Sequence, residues 1–159
     1  MSSSPSPPER GLCFEEFQPG QEFCSPARIL TQADVEAFAE LSGDRNPIHL
    51  DEAFAARSPF RRRIAHGLLV ESVASGLAWQ TGIFRETIVA LSRVEIEFVA
   101  PVRPPAELRM RLRVLEREAQ PGPRRGWVAF ATDVLSAEDE LVLRGRWITV
   151  VQRAPRAAN

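Results

Sequence analysis

The sequence predicts an α+β fold in which helices come first and an antiparallel sheet follows. Three observations carry this. Apolar periodicity changes from helical to alternating after Gly82; one helix, starting at Gly67, is apolar around nearly its whole circumference; and the strands beyond it are joined by short Pro-, Gly- and acid-containing connections. Consecutive strands on short connections pair antiparallel. A helix apolar on all sides is a buried one, so a sheet has to curl around it.

The elements follow in order. Residues 1–12, Ser- and Pro-rich up to Arg10, are expected to be a disordered tail, 13–152 one domain, and 153–159 a second frayed end. Phe14 to Phe23 contains the turn signal Pro19-Gly20, and a short strand-like piece reaches Leu30. Thr31 is an N-cap with an acid, Asp34, at N3, opening a helix to about Leu41 that Gly43 ends. Asp51 caps a short helix, Glu52 to Arg57, broken by Ser58-Pro59. The apolar helix runs from Gly67 to about Thr81 and is far too short, and too interrupted by Glu71, Ser72 and Ser75, to span a bilayer. Val94, Ile96 and Phe98 alternate with Arg93, Glu95 and Glu97, as Leu108, Met110 and Leu112 do with Arg109, Arg111 and Arg113: two strands, each with one wet face. Trp127 to Leu135 is an apolar run suited to a central strand, and Glu140 to Val151 is a strand with mixed faces.

Composition narrows the chemistry. The chain has 159 residues, 44% of them hydrophobic, enough for a real core. Twenty basic against 21 acidic residues leave a formal charge of −1, so no basic field recruits nucleic acid. Every basic residue is Arg; the absence of Lys excludes a Schiff-base or general-base lysine, and the absence of Tyr excludes a tyrosine proton donor. Cys13 and Cys24 are too few for a disulfide framework and lack zinc-site spacing, which fits a reducing, cytoplasmic setting. No signal peptide or membrane span is read at the N-terminus. Neither a G-x-G-x-x-G nor a Walker motif occurs, which disfavours dinucleotide and nucleoside triphosphate chemistry.

The chemistry-bearing residues are concentrated. Leu41-Ser42-Gly43-Asp44-Arg45-Asn46-Pro47-Ile48-His49 puts an acid, an amide and an imidazole into six consecutive residues, and His66-Gly67 heads the apolar helix. These two motifs hold both His of the chain. Pro47 biases Asn46 away from helical geometry, so a fixed loop is expected there. Asp44 and His49 flank the Asn-Pro turn and are placed to address one water. Free N–H groups at the start of the Gly67 helix favour developing negative charge, and glycine there lets a ligand approach the backbone. Read alone, Asp44 and Asn46 are also good turn residues. Asp44, His49 and Asp51 are a candidate metal-ligand set, weighed and set aside for want of further ligands.

Phe38-Ala-Glu-Leu-Ser-Gly-Asp-Arg-Asn-Pro-Ile-His49, with Ala53 to Ala56 after it, resembles the hydratase motif of MaoC-like proteins, which include the (R)-specific enoyl-CoA hydratases. Ile64-Ala65-His66-Gly67-Leu68-Leu69 is similar to the family's second signature, at the start of its central helix, and Phe14 to Phe23 resembles its usual opening. The likeness runs from about Phe14 to Val151 and implies a hot-dog fold, a sheet wrapped around one long helix, normally dimerised edge to edge. It implies a hydratase/dehydratase that adds water reversibly to a 2-enoyl thioester, giving an (R)-3-hydroxyacyl product. Asp44 and His49 would be the catalytic dyad and Gly67 N–H part of the oxyanion hole. Ser75 would support the dyad and Asn46 would brace the loop; His66, from its own place near the helix start, is read as a structural hydrogen-bonding residue rather than a second base.

Arg61-Arg62-Arg63 is read first as a solvated charge cluster, with contact to coenzyme A phosphates as the alternative. The substrate is expected to be an acyl-CoA or acyl-carrier thioester, with no metal, flavin or nicotinamide and with coenzyme A only as part of the substrate. A thioesterase on the same scaffold and a non-catalytic acyl-thioester-binding subunit are the competing readings. Two departures from the family bear on the substrate: Glu71 inside the apolar helix, expected to find an Arg partner, and the stiff turn Val102-Arg103-Pro104-Pro105-Ala106. Trp79 and Phe84 are candidates to close the far end of the pocket.

Overall fold

A computed structural model describes residues 10–119 and 124–155. A 3-10 turn (Phe14–Glu16) leads into β1 (Glu22–Cys24) and β2 (Arg28–Leu30). Helices α1 (Gln32–Ser42), α2 (Pro47–Leu50), α3 (Glu52–Arg57) and α4 (Gly67–Gln80) follow, then strands β3 (Ile88–Phe98), β4 (Ala106–Ala119), β5 (Arg125–Ser136) and β6 (Leu141–Gln152). Helices first and long strands later is the expected order. The sheet runs β1-β4-β5-β6-β3, with β2 also on β4, and every pairing is antiparallel.

Local chemistry explains the helix boundaries. Thr31 accepts from the Asp34 N–H while the Asp34 carboxylate accepts from the Thr31 N–H, a reciprocal cap. Gly43 closes α1 in the left-handed region at φ 78°, where a Cβ would be strained. Asp51 accepts from the Phe54 N–H at the start of α3. The expected loop at Pro47 is instead one helical turn: Asn46 accepts from the Ile48 N–H as N-cap, and Pro47 stands at the first helical position, where its missing N–H costs nothing. Pro47 does bar a continuation of α1, as anticipated.

The core joins helix to sheet. Val70, Val73, Ala74 and Leu77 of α4 share one buried cluster with Leu108, Met110 and Leu112 of β4, Phe130 of β5 and Leu143 of β6. Each buried Val, Leu, Met or Phe side chain among them contributes about 1.5–3 kcal/mol relative to exposure. On β4 the alternation holds as read: Leu108, Met110 and Leu112 are buried, while Arg109, Arg111 and Arg113 face out. Asp133 of β5 sits between Arg111 and Arg144 of the flanking strands, and Arg146 reaches Glu116, so the outer sheet face is charged.

Three further expectations need correction. The α4 helix is not buried all round: Leu68, Ser72, Ser75 and Trp79, one stripe at helical spacing, are exposed because the sheet covers only the opposite side. On β3 the apolar face is open too, with Val94 and Phe98 both exposed, because β3 is an edge strand paired only to β6. The expected tail is ordered at its end: Gly11 and Leu12 N–H groups donate to the Arg85 and Ile83 carbonyls. Residues 1–9 and 156–159 of the expected tails lie outside the described residues. Among the described residues no helix is long and apolar enough to cross a membrane.

Candidate active site

The loop between α1 and α2, the segment before α4, and the end of β3 with the residues after it enclose a cavity of about 670 Å³. Its walls are largely apolar, with Phe38, Phe60, Phe98, Val99, Val102 and Leu143 among them, and its polar groups are Ser42, Asp44, His49 and His66. That composition and size suit a mostly apolar organic ligand held at one polar point.

Backbone bonds stitch the polar wall together. Ala65 N–H donates to the Val102 carbonyl at 2.8 Å and the Gln32 amide donates to the His49 carbonyl at 3.1 Å. His49 Nδ1 lies 2.7 Å from the Ile64 carbonyl and His66 Nε2 lies 2.9 Å from the Asp44 carbonyl. A carbonyl only accepts, so each of these ring nitrogens carries its proton. In the neutral rings the free lone pairs are therefore His49 Nε2 and His66 Nδ1. The two imidazoles stack with centroids 3.8 Å apart. Burial, the largest influence, pushes the His49 pKa below its ordinary value; the His66 ring acts in the same direction, and the Ile64 bond and Asp44 oppose it.

Asp44 is exposed at the cavity mouth. One carboxylate oxygen accepts from the Asn46 N–H at 3.2 Å, and Asp44 N–H donates to the Ser42 hydroxyl. Asn46 thus ties the loop at both ends, through its own N–H and through its cap on α2. The start of α4 is open: its N-cap, His66, supplies no side-chain cap bond, and the first backbone bond of the helix runs from Val70 N–H to the His66 carbonyl. The N–H groups of Gly67, Leu68 and Leu69 precede that bond, at the positive end of the helix dipole. A Cβ on Gly67 would stand 2.6 Å from Phe98 Cε1, so the Phe98 ring already fills the space a side chain would need.

The structure brings Asp44, His49, His66 and Gly67 to one cavity and leaves other sequence candidates outside it. Ser75 is two turns along α4, about 12 Å from Gly67 at 1.5 Å per residue; its hydroxyl donates to the Ser72 carbonyl and it does not line the cavity. Asp51 is committed to capping α3. Arg61 and Arg62 are exposed beside the cavity residues Phe60 and Ile64, whereas Arg63 pairs with Glu52. Arg93, Arg109 and Arg111 pair with Glu95, Asp139 and Asp133, away from the cavity. Glu71 takes Trp147 rather than an Arg as partner: the indole N–H donates to one oxygen at 2.8 Å, the other is buried without a bond, and burial pushes the carboxyl pKa up. Trp79 is exposed and Phe84 is buried against Phe17 and Phe130, so neither closes the pocket. Phe98 and Val99–Val102 do that. Of these the sequence pointed only to Val102, in the turn that bears on the substrate; Pro101 just after a strand end was the further signal that the chain turns there.

The MaoC like domain matches residues 16–128. The chain belongs to the MaoC-like family. A 3-hydroxybutyryl-CoA dehydratase of Methylorubrum extorquens is 37% identical over 95% of this chain and 91% of that protein. Protein MaoC of Klebsiella aerogenes is 40% identical over 62% of the chain, a match that spans 29% of that longer protein. Among solved structures, the (R)-hydratase of A. caviae is 30% identical over 88% of this chain and 99% of its own, with a TM-score of 0.72. A Mycobacterium tuberculosis protein described as a double hotdog fold superposes at a TM-score of 0.79 and 22% identity, the chain covering 46% of it. The fold is therefore the hot-dog of MaoC-like proteins, and the family is one of hydratases and dehydratases.

Proposed function

We propose that this MaoC-like chain is a hydratase/dehydratase that interconverts a 2-enoyl thioester and its 3-hydroxyacyl thioester, with Asp44 and His49 as the acid/base pair. The observation that carries this is one enclosure: the free Nε2 of a buried neutral His49 and the Asp44 carboxylate share an apolar cavity with the uncapped start of α4. Hydration needs a base for the water, an acid for the α-carbon and donors for charge growing on the thioester oxygen. Between them Asp44 and His49 remove one proton from the water and return one to the α-carbon. The Gly67 N–H and its neighbour meet the thioester oxygen. Asn46 holds Asp44 in place, and His66 holds the Asp44 carbonyl. Ser75 has no part in this reading.

The reaction moves protons and no electrons, so it calls for no redox cofactor, and coenzyme A enters only as part of the substrate. Exposed Arg61 and Arg62 at the rim suit its phosphates. The relatives' names support an acyl-CoA, and the Methylorubrum relative puts a four-carbon acyl group first. The (R) hand follows the A. caviae likeness. A homodimer suits the open β3 edge, where Val89, Leu91, Val94 and Phe98 are exposed, and the paired hot-dogs of the mycobacterial neighbour.

The test is loss of enoyl absorbance across a panel of trans-2-enoyl-CoAs, beside Asp44→Asn. Rapid loss that falls about 10²–10⁴-fold in the variant, without a shift in melting temperature, is the expected result. Retained activity in Asp44→Asn sinks the dyad. No loss across the panel, with free thiol released from saturated acyl-CoA, replaces hydration by thioester hydrolysis.

A further inference from the structure

A second cavity, of about 520 Å³, lies where the start of β5 meets the end of β6 and the start of β3. Its size is that of a small-molecule site, roughly 300–1,000 Å³. Val89 in its wall and Phe98 of the active-site cavity stand nine residues apart on β3, roughly 30 Å at 3.3 Å per residue, so this cleft is no extension of that cavity. Arg124, Arg125 and Arg153 line it, Val89, Ala154 and Pro155 give it an apolar side, and no carboxylate lines it among the described residues.

Backbone pairing builds the cleft. Arg125 faces Gln152 across β5 and β6, Arg153 N–H donates to the Arg124 carbonyl, and Gln152 N–H donates to the Thr87 carbonyl. A register shift between Ile88 and Ala90 leaves Val89 as an extra residue in the cleft wall. Arg153 is held in place: its Nε donates to Glu15 at 2.7 Å, and its guanidinium lies over the Phe14 ring, 5.5 Å from the centroid. The other Glu15 oxygen accepts from the Ala154 N–H, so that carboxylate is spent. Arg124 and Arg125 are exposed and pair with no acid among the described residues. Three like charges in one concavity focus a positive potential that an anion relieves. Guanidinium forks match phosphate oxygens two at a time, and their planes stack on nucleobases. We propose that this cleft binds an organic phosphate of nucleotide size, its phosphates on Arg124, Arg125 and Arg153 and its base against Val89 and Pro155. Two sources present that chemistry: a free nucleotide, or the nucleotide end of a coenzyme A thioester held by a second copy of the chain, since the cleft borders the open β3 edge. The site stands apart from the proposed function, and only the second source rests on it.

Calorimetric titration of adenosine 3′,5′-bisphosphate tests the site. One equivalent is expected to survive Arg61→Ala/Arg62→Ala at the active-site rim, and to weaken at least about tenfold in Arg124→Ala/Arg125→Ala and as salt rises. Both cleft arginines are exposed, so their removal is expected to leave the melting temperature unchanged. No surviving equivalent, wild-type binding in Arg124→Ala/Arg125→Ala, or equal affinity for adenosine without phosphate overturns the proposal. Turnover separates the sources. With coenzyme A of a second copy in the cleft, Arg124→Ala/Arg125→Ala raises KM for an enoyl-CoA about tenfold and leaves the enoyl-pantetheine thioester unchanged. With a free nucleotide there, both stay unchanged. A protein inert toward every enoyl thioester that still binds the bisphosphate through Arg124 and Arg125 keeps the site and loses the hydratase reading alone.

Discussion

Gly67→Ala is the substitution that the cavity wall should resist. A Cβ at this position falls 2.6, 2.8 and 2.9 Å from three atoms of the Phe98 ring, where ordinary contact starts near 3.4 Å. The ring has to retreat by about 0.5–0.8 Å. Phe98 is 55% exposed on an edge strand, so it can turn, and the thermodynamic cost stays low. Overpacking typically costs about 1–3 kcal/mol, and replacing Gly by Ala in a helix returns up to about 1. The net cost of no more than about 3 kcal/mol corresponds to a fall in melting temperature of about 12 °C at most. Activity should suffer more, because the displaced ring moves within the cavity beside the first N–H of α4. A loss of kcat/KM of at least about tenfold is expected, since small misplacements at a reacting centre cost up to about 10²-fold. Phe98→Ala in the same chain should recover activity to the level of Phe98→Ala alone. A double variant as poor as Gly67→Ala would refute the reasoning: the methyl itself, and not the ring, would then be the obstruction.

Further outcomes follow from two titrating groups. His49 has its pKa pushed below the ordinary imidazole value of about 6.5 by burial, so it stays a competent base in mild acid. The acid limb of kcat/KM for the free enzyme is expected below pH 6.5, and a limb above that value that vanishes in a His49 variant would contradict it. For stability the sign is the same: above pH 6.5 both states hold the ring neutral, and below it the unfolded chain takes up the proton first, so stability falls as pH drops. Glu71 runs the other way. Its carboxyl is raised by burial, so the folded state keeps the proton longer and loses stability as pH rises past the ordinary glutamate value. Glu71→Gln keeps an acceptor for the Trp147 N–H, and its melting temperature should gain on the wild type as pH rises. A difference that does not change with pH would show that Glu71 is not the group responsible.

The fold was legible where a physical rule acts locally. Thr31 with Asp34, Gly43, and Asp51 announced their helix ends because each cap is satisfied within four residues. The alternation on β4 was legible because one of its faces meets the core. It misled on β3 and on the Leu68–Trp79 stripe of α4, since pattern reports that a face is apolar and not what covers it. In the site, Asp44, His49 and Gly67 could be picked from two short motifs. Ser75 could not be excluded that way, because its distance from the cavity depends on which way α4 points. Phe98 and the pairing of His49 with Ile64 join segments far apart in sequence, and no local rule sees them.

What makes the site more than a cluster of polar residues is that backbone carbonyls, not side chains, set the tautomers of its two imidazoles. The Ile64 carbonyl holds the proton on His49 Nδ1, and the Asp44 carbonyl holds the proton on His66 Nε2. Both carbonyls are fixed by the fold: Ile64 by its own N–H on the Ile48 carbonyl and by the next residue, Ala65, whose N–H donates to the Val102 carbonyl, and Asp44 by the Gly43 turn and the Asn46 brace. A side-chain partner could be lost by one substitution, whereas these carbonyls persist whatever residue occupies their positions. Base competence of His49 therefore depends on the register between the α1–α2 loop and the segment leading into α4. Substitutions that shift that register, such as at Pro47 or Val102, should lower activity through the His49 tautomer while every catalytic side chain remains in place.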